Sequence, residues 1–331
     1  MFPASMGTFE SRVGGHITLC FTVDVESDEP LQQGSKGFGL SISKGVFVKV
    51  NKKDKELSNK INFHGFSEKA DKKLYETVLD VIVEEGISAN EYSWDIDVTL
   101  ELPPQQGFGL SASGACASAI AIQRALEIPE LEVIPRALKI AHLVERKISG
   151  GLGDIAAISV GGIERRIKPG FPTPIGPGIV ESWYSNFPII LVWMSNLGTH
   201  TSSYIDSKKW QYQISSAGNN CMKKISSIPW DKSSWEILLQ ESLEFSQNSG
   251  LITEKNRMQL LDKIDTIQIE EILGDKVAVR LCMLGLSAII LPKSFEALNS
   301  KYWVSKVSSL LEKGGLEYSI CEISHSPLSS L

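Results

Sequence analysis

Between residues 94 and 127 the chain passes without interruption from a strictly alternating stretch to one built almost wholly of small residues. Trp94-Asp95-Ile96-Asp97-Val98-Thr99-Leu100-Glu101-Leu102 alternates apolar and polar side chains, the period of a strand with one wet face. Pro103-Pro104 closes it. Then comes Gly107-Phe108-Gly109-Leu110-Ser111-Ala112-Ser113-Gly114-Ala115, and the spacing predicts a small-residue helix from about Ser113 to Glu127. Glycines let a backbone approach a ligand closely. The first N–H groups of a helix, with its dipole, form an anion site suited to phosphate. Serine hydroxyls there can add a phosphate hydrogen bond or a magnesium ligand.

Three readings of the loop are open on its own residues. It fits a tight turn of small residues, a dinucleotide fingerprint, or an ATP loop of non-Walker type. Gly107-x-Gly109-x-x-Ala112 formally matches G-x-G-x-x-A. The alternating strand and the two prolines before the first glycine count against that match, because dinucleotide folds use strands buried on both faces. No G-x-x-x-x-G-K-[ST] occurs, so a P-loop is excluded.

Composition narrows the partners. With 331 residues, 42% hydrophobic and 22% charged, the chain can bury one large core or two moderate ones. A net charge of −6, with both signs mixed along the chain, argues against nucleic acid as a main partner. The lysine-rich stretch Lys49 to Lys60 is interleaved with Asp54 and Glu56 and reads as a solvated loop. Cys20, Cys116, Cys221, Cys282 and Cys321 are isolated and odd in number, which points to reduced thiols, and no His/Cys cluster has zinc spacing. The apolar run Phe187 to Met194 is too short to span a bilayer, and residues 1–15 lack a signal-peptide pattern. The expectation is a soluble cytoplasmic protein.

Strands are expected at Ile17–Val25, Phe38–Val50, Ile189–Met194, Ala288–Leu291 and Glu317–Ile323. Helices are expected at Lys72–Glu85, Pro135–Lys147, Ser234–Gln247, Thr253–Ile264 and about Phe295–Glu312. Lys168 to Gly178, with four prolines and three glycines, reads as a linker or domain edge. The mixture is α+β, without the regular alternation of a doubly wound sheet.

Two acids stand out. Leu138, Ala141, His142 and Glu145 share one helix face, so His142 and Glu145 need partners among apolar neighbours. They can pair with each other, or with Arg146 or Lys147. Alternatively, Glu145 faces a metal and His142 a substrate. Asp154 follows Gly150-Gly151-Leu152-Gly153; it fits a helix N-cap, or a base positioned to take a proton from an alcohol attacking a phosphate.

Taken in order, these segments resemble the GHMP kinase superfamily. Its ATP loop, roughly P-x-x-x-G-L-x-S-S-x-A, is similar to Pro104-Gln105-Gln106-Gly107-Phe108-Gly109-Leu110-Ser111-Ala112-Ser113, and its A-x-x-x-E segment with following glycines and Asp is similar to Ala141-His142-Leu143-Val144-Glu145…Gly153-Asp154. Gly15-His16-Ile17-Thr18, Gly34-Ser35-Lys36-Gly37-Phe38-Gly39, Gly161-Gly162-Ile163 through Arg166, and Cys282-Met283-Leu284-Gly285 extend the resemblance toward the archaeal pantoate kinase family, over about positions 14 to 290.

The resemblance implies a GHMP kinase fold, with a ribosomal protein S5 domain 2-like N-terminal domain (1–178) and a ferredoxin-like C-terminal domain (179–331). It implies ATP and Mg²⁺ as cofactors, with ATP held by Pro104, Gly107, Gly109, Leu110, Ser111, Ala112, Ser113 and Gly114. Ser111 and Glu145 would hold the metal, although Ser113 matches the serine position of other members. Asp154 would be the catalytic base, and Ser35, His142 and Arg166 would bind pantoate. The neighbouring Arg165 would point to the opposite side of its strand. Members that phosphorylate mevalonate or homoserine, and a catalytically silent sensor of the same fold, are the alternative readings. A homodimer is a further implication.

Overall fold

The computed structural model describes residues 7–55, 58–194, 202–274, 276–295, 300–326 and 328. In chain order the elements begin with β1 (Thr8–Phe21), β2 (Gly37–Asp54), β3 (Lys60–Gly65), α1 (Lys72–Glu84), β4 (Tyr92–Leu100), α2 (Leu110–Ala125), α3 (Glu130–Lys147), α4 (Asp154–Val160), β5 (Ile163–Lys168) and β6 (Ile179–Trp183). They continue with β7 (Pro188–Trp193), α5 (Ser202–Ile205), α6 (Lys208–Ile225), α7 (Trp235–Asn248), α8 (Lys255–Thr266), α9 (Ile269–Leu273), β8 (Val277–Cys282), β9 (Ser287–Pro292), α10 (Ser300–Lys313) and β10 (Glu317–Glu322). None of the described helices is long and apolar enough to cross a membrane.

β2 organises the first sheet. Its residues 37–41 and 45–51 pair antiparallel with β1, while its other edge is shared: β4 takes residues 46–54 and β5 takes 37–40. β3 joins β4 in parallel and β6 joins β5, giving six strands. α2 lies on β1 and β2, with α1 and α3 packed against it. Val46, Val48, Val50, Ile96 and Val98 point into this core with no exposure, as the alternation of β4 requires.

The second sheet has the order β10-β7-β9-β8 and is antiparallel throughout. Numbered along this part of the chain the order is 4-1-3-2, with helices between its first and second and its third and fourth strands. That is the ferredoxin-like arrangement. β7 is apolar at successive positions because both its faces are covered: Ile189 and Leu191 join the main core, Ile190 and Val192 a smaller one with α8, α9 and α10.

Several boundaries differ from the sequence expectation. α2 starts at Leu110, since Gly109 adopts a left-handed conformation (φ 66°) immediately before it, so Leu110 to Gly114 are helical. α3 starts at Glu130, leaving Pro135 inside it, where the missing N–H forgoes one helical bond. β1 is longer than expected because its first half pairs with β2 around Gly14 and Gly45. β3, α6 and β8 lacked a periodic signal clear enough to predict. The expected helix near Phe295 begins at Ser300 as described; residues 296–299 lie outside the described residues. The proline-glycine stretch after Lys168 is packed: Phe171 is buried and its N–H donates to the Leu31 carbonyl at 2.8 Å. It thereby braces the segment that leads to Ser35.

The smaller core gives a direct test of burial. Ile290 has no exposure, whereas Ile320 on the neighbouring β10 is 41% exposed. Ile290→Ala is expected to cost about 2–5 kcal/mol in chemical denaturation. Ile320→Ala should stay within about 0.5 kcal/mol. Equal losses would mean that burial does not set the contribution of these positions.

Candidate active site

A cleft opens between the amino end of α2, the turn before α4 and the segment before α1. Its end at α2 contains Pro104, Gly107, Phe108, Gly109, Leu110 and Ser111. Phe63, Lys69, Asp71, Leu74 and Tyr75 extend it on one side, while Thr18, Phe21, Ser35, Met283 and Leu284 line it with Gly150 to Asp154. Ser113 N–H bonds back to the Gly109 carbonyl at 3.1 Å, so the N–H groups of Leu110, Ser111 and Ala112 are the ones α2 leaves without helical partners. Together with the helix dipole they make that end an anion site.

The eight expected ATP-loop residues divide. Pro104, Gly107, Gly109, Leu110 and Ser111 line the cleft; Ala112, Ser113 and Gly114 are buried in α2. The Ser113 hydroxyl donates to the Gly14 carbonyl at 2.8 Å, or to Gly109 at 3.0 Å, and so ties α2 to β1. Ser111 is the serine that faces the cleft.

Glu145 is fully buried at the cleft wall. One carboxylate oxygen, Oε2, accepts from the Gly151 N–H, and the other, Oε1, is buried with no partner. Burial first, then the Asp154 charge, raises its pKa to about 7; Arg146, the Ser111 hydroxyl and the Gly151 N–H pull the other way. An unpartnered buried oxygen beside a serine hydroxyl suits a hard cation. No cluster of three or more His, Cys, Asp or Glu residues able to hold a metal gathers among the described residues. Few protein ligands suffice for Mg²⁺, which usually binds one or two carboxylates and takes its remaining ligands from water and phosphate. The residues present therefore fit it.

Asp154 is the first residue of α4, with Gly153 in the capping position. Its Oδ1 lies 2.7 Å from His16 Nδ1, and His16 Nε2 lies 3.0 Å from Glu164 Oε1. Glu164 in turn accepts from Arg166. The turn before α4 must be glycine-rich because it passes directly over these groups. A Cβ on Gly151 would overlap Asp154, and one on Gly153 would sit 2.5 Å from Arg166 Nε and 2.6 Å from Ser35 Oγ. Arg146, whose pKa burial lowers, points at this turn and donates to the Gly150 and Gly151 carbonyls.

Strand alternation separates the two arginines. Arg166 shares a face with Glu164 beneath Ser35 and Gly153, with Nε buried and unpartnered. Arg165 turns away to Glu181 and the Ile225 carbonyl, its guanidinium over Trp230. His142 does not line the cleft. Its Nε2–H donates to the Pro30 carbonyl at 2.9 Å and its ring packs edge-on against Phe171. Burial, then the Arg146 charge, lowers its pKa to about 4, so it is neutral and supports the segment before Ser35. His16 and Glu164 were not singled out by spacing, because His16 lies 138 and 148 positions from the acids it touches.

Residues 73–162 match the GHMP kinases N terminal domain. The chain is 28% identical over 316 residues to pantoate kinase of Thermococcus kodakarensis, spanning 94% of each chain. It is 29% identical over 243 residues to pantoate kinase of Methanocaldococcus jannaschii, covering 73% of this chain and 80% of that one. A solved phosphotransferase related to the CoA biosynthesis pathway superposes with a TM-score of 0.74 at 24% identity, over 96% of this chain and 97% of the other. The fold is the GHMP kinase fold. In sequence the chain is similar to these archaeal pantoate kinases over most of its length.

Glu145 makes the fold pH-sensitive in a defined direction. Its folded pKa, about 7, lies above the ordinary 4.5, so the folded protein holds this proton more tightly than the unfolded chain. The associated stability is complete below pH 4.5 and is lost as the pH rises through 7. A gap of this size corresponds to about 3 kcal/mol. In EDTA, the melting temperature of the wild type should fall relative to that of Glu145→Gln between these limits. A constant difference between the two proteins would contradict this.

Proposed function

We propose that this chain is an ATP-dependent pantoate kinase, transferring the γ-phosphoryl group of ATP to the primary hydroxyl of pantoate to give 4-phosphopantoate, a step toward coenzyme A. The carrying observation is that Ser111, at the free amino end of α2, and Asp154, held by His16, line one cleft together with Ser35. The two relatives' names and the solved phosphotransferase support the choice of substrate.

On this reading the phosphates lie over the amino end of α2, where N–H groups and the dipole meet their charge. Asp154 accepts the hydroxyl proton as the alcohol oxygen bonds to the γ-phosphorus. The bond from that phosphorus to the bridging oxygen breaks, and ADP leaves. Ser111 and Glu145 would hold Mg²⁺, which when bound neutralises charge on the phosphates. Ser35 Oγ lines the cleft and is placed to meet an acidic acceptor, while Arg166, buried behind Gly153 with Nε unpaired, puts a permanent positive charge beneath it. Phe21, Met283 and Leu284 give the same part of the cleft an apolar wall for a branched hydroxy acid. His142 contributes by supporting the segment before Ser35. We place the catalytic domain in residues 1–178, with residues 179–331 adding Ile205, Met283 and Leu284 to the cleft.

ADP release against pantoate, mevalonate, homoserine, shikimate and galactose tests the substrate; absence of turnover with pantoate would exclude it. Asp154→Asn should lower kcat by at least 100-fold, the order expected for loss of a general base, with ATP affinity retained. A wild-type rate would leave Asp154 a structural residue only. Ser35→Ala removes one hydrogen bond to a charged group and should raise the pantoate KM about tenfold with kcat little changed. An unchanged KM would place the acceptor elsewhere.

A further inference from the structure

His16 on β1, Asp154 at the start of α4, and Glu164 and Arg166 on β5 meet as one row beneath the cleft. His16 and Glu164 have no exposure, Arg166 is 1% exposed, and Asp154 is the only member that reaches the cleft. His16 is the member that joins the others. Its backbone N–H donates to the Phe108 carbonyl at 3.1 Å, and Gly109 packs so close that a Cβ there would lie 2.9 Å from the His16 nitrogen. The β1–β2 register shifts between Gly14 and His16, which is where the strand turns this ring toward α4 and β5. Space around the ring is reserved as well: a Cβ on Gly39 would sit 2.5 Å from His16 Nε2 and 3.1 Å from Glu164 Oε1.

We infer that His16 is the positioning residue of the base, fixing Asp154 through Nδ1 and tying it through Nε2 and Glu164 to Arg166. The inference rests on the reading of Asp154 as general base. Ionised carboxylates only accept, and a neutral imidazole has one N–H, so both contacts are hydrogen bonds only when both ring nitrogens carry protons. The row is then Asp⁻, His⁺, Glu⁻, Arg⁺, with no net charge, which is how four ionised groups can share a buried site without a large desolvation cost. Burial by itself would lower the His16 pKa, but hydrogen bonds and charge from Asp154 and Glu164 outweigh it and the net direction is upward. With Oδ1 held by His16, Oδ2 is the oxygen left to meet the acceptor hydroxyl. The same row sets the distance between the base and the arginine beneath Ser35. The acceptor hydroxyl thereby meets a base that belongs to one rigid unit, whose link to Phe108 also sets its place relative to the loop before α2.

The two ring nitrogens can be tested separately. His16→Asn places an amide nitrogen where Nδ1 lies and keeps a donor for Asp154; His16→Gln places one where Nε2 lies and keeps a donor for Glu164. With ATP and pantoate, His16→Gln should lose about 100-fold or more in kcat while the KM for ATP is unchanged, the size expected when the group orienting a base is removed. His16→Asn should recover at least tenfold of that loss. Equal kcat losses in both variants, or a loss confined to the KM values, would overturn the inference, because a merely structural role would not distinguish the nitrogens. Should both variants fail to bind ATP, Glu164→Gln decides the matter. It keeps an acceptor for His16 and Arg166 but not the charge, and it should lower kcat with ATP affinity intact; a wild-type kcat would overturn the proposal. A wild-type rate for Asp154→Asn would instead refute the base assignment, so the two failures are separable.

Discussion

The contact between His16 and Asp154 is the one on which the site's geometry depends. Asp154 begins a helix of seven residues, too short to fix a carboxylate by itself. The strand β1 supplies what the helix lacks: a ring whose backbone is anchored to the loop before α2 and whose far nitrogen is anchored to β5. Because β1 pairs along most of β2 and lies under α2, the acid inherits the rigidity of the main core.

Close packing is the condition for this arrangement. The carboxylates of Glu145 and Asp154 and the guanidinium of Arg166 all lie against one turn, and there is no room for side chains between them. Glycines at 150, 151 and 153 remove that obstacle, while Arg146 holds the turn's carbonyls so that its flexibility does not become disorder of the site. Small residues in α2 act in the same way at larger scale, bringing the helix start against β1 so that Ser111 and Asp154 face one space.

Charge is the second condition. Six ionisable groups, Glu145, Arg146, Asp154, His16, Glu164 and Arg166, are drawn out of water within a small volume. They are tolerated because acids and bases alternate; among the acids, Glu145 combines a buried unmet oxygen with a raised pKa. That residual imbalance beside Ser111 and the amino end of α2 is what fits the site for a cation with phosphate.

Read alone, the sequence was enough for the α+β class, the alternation of β4, the helical faces of α1 and α3, and the turn into a small-residue helix after Pro104. These follow from local periodicity and from glycine and serine chemistry, which act over a few residues. It also separated Arg165 from Arg166, since alternation in a strand is local. The start of α2 was less legible, because only the left-handed Gly109 shows that Leu110 is already helical. Nothing local distinguished Ser111 from Ser113; the tertiary structure did so by giving one hydroxyl to the cleft and the other to the Gly14 carbonyl. His142 shares the buried face of Glu145, yet the packing of Phe171 and Pro30 turns it to support a neighbouring segment. The row through His16 was wholly a tertiary decision, joining residues 138 and 148 positions apart. Burial and long-range strand pairing select such partners, and neither has a period that a sequence can display.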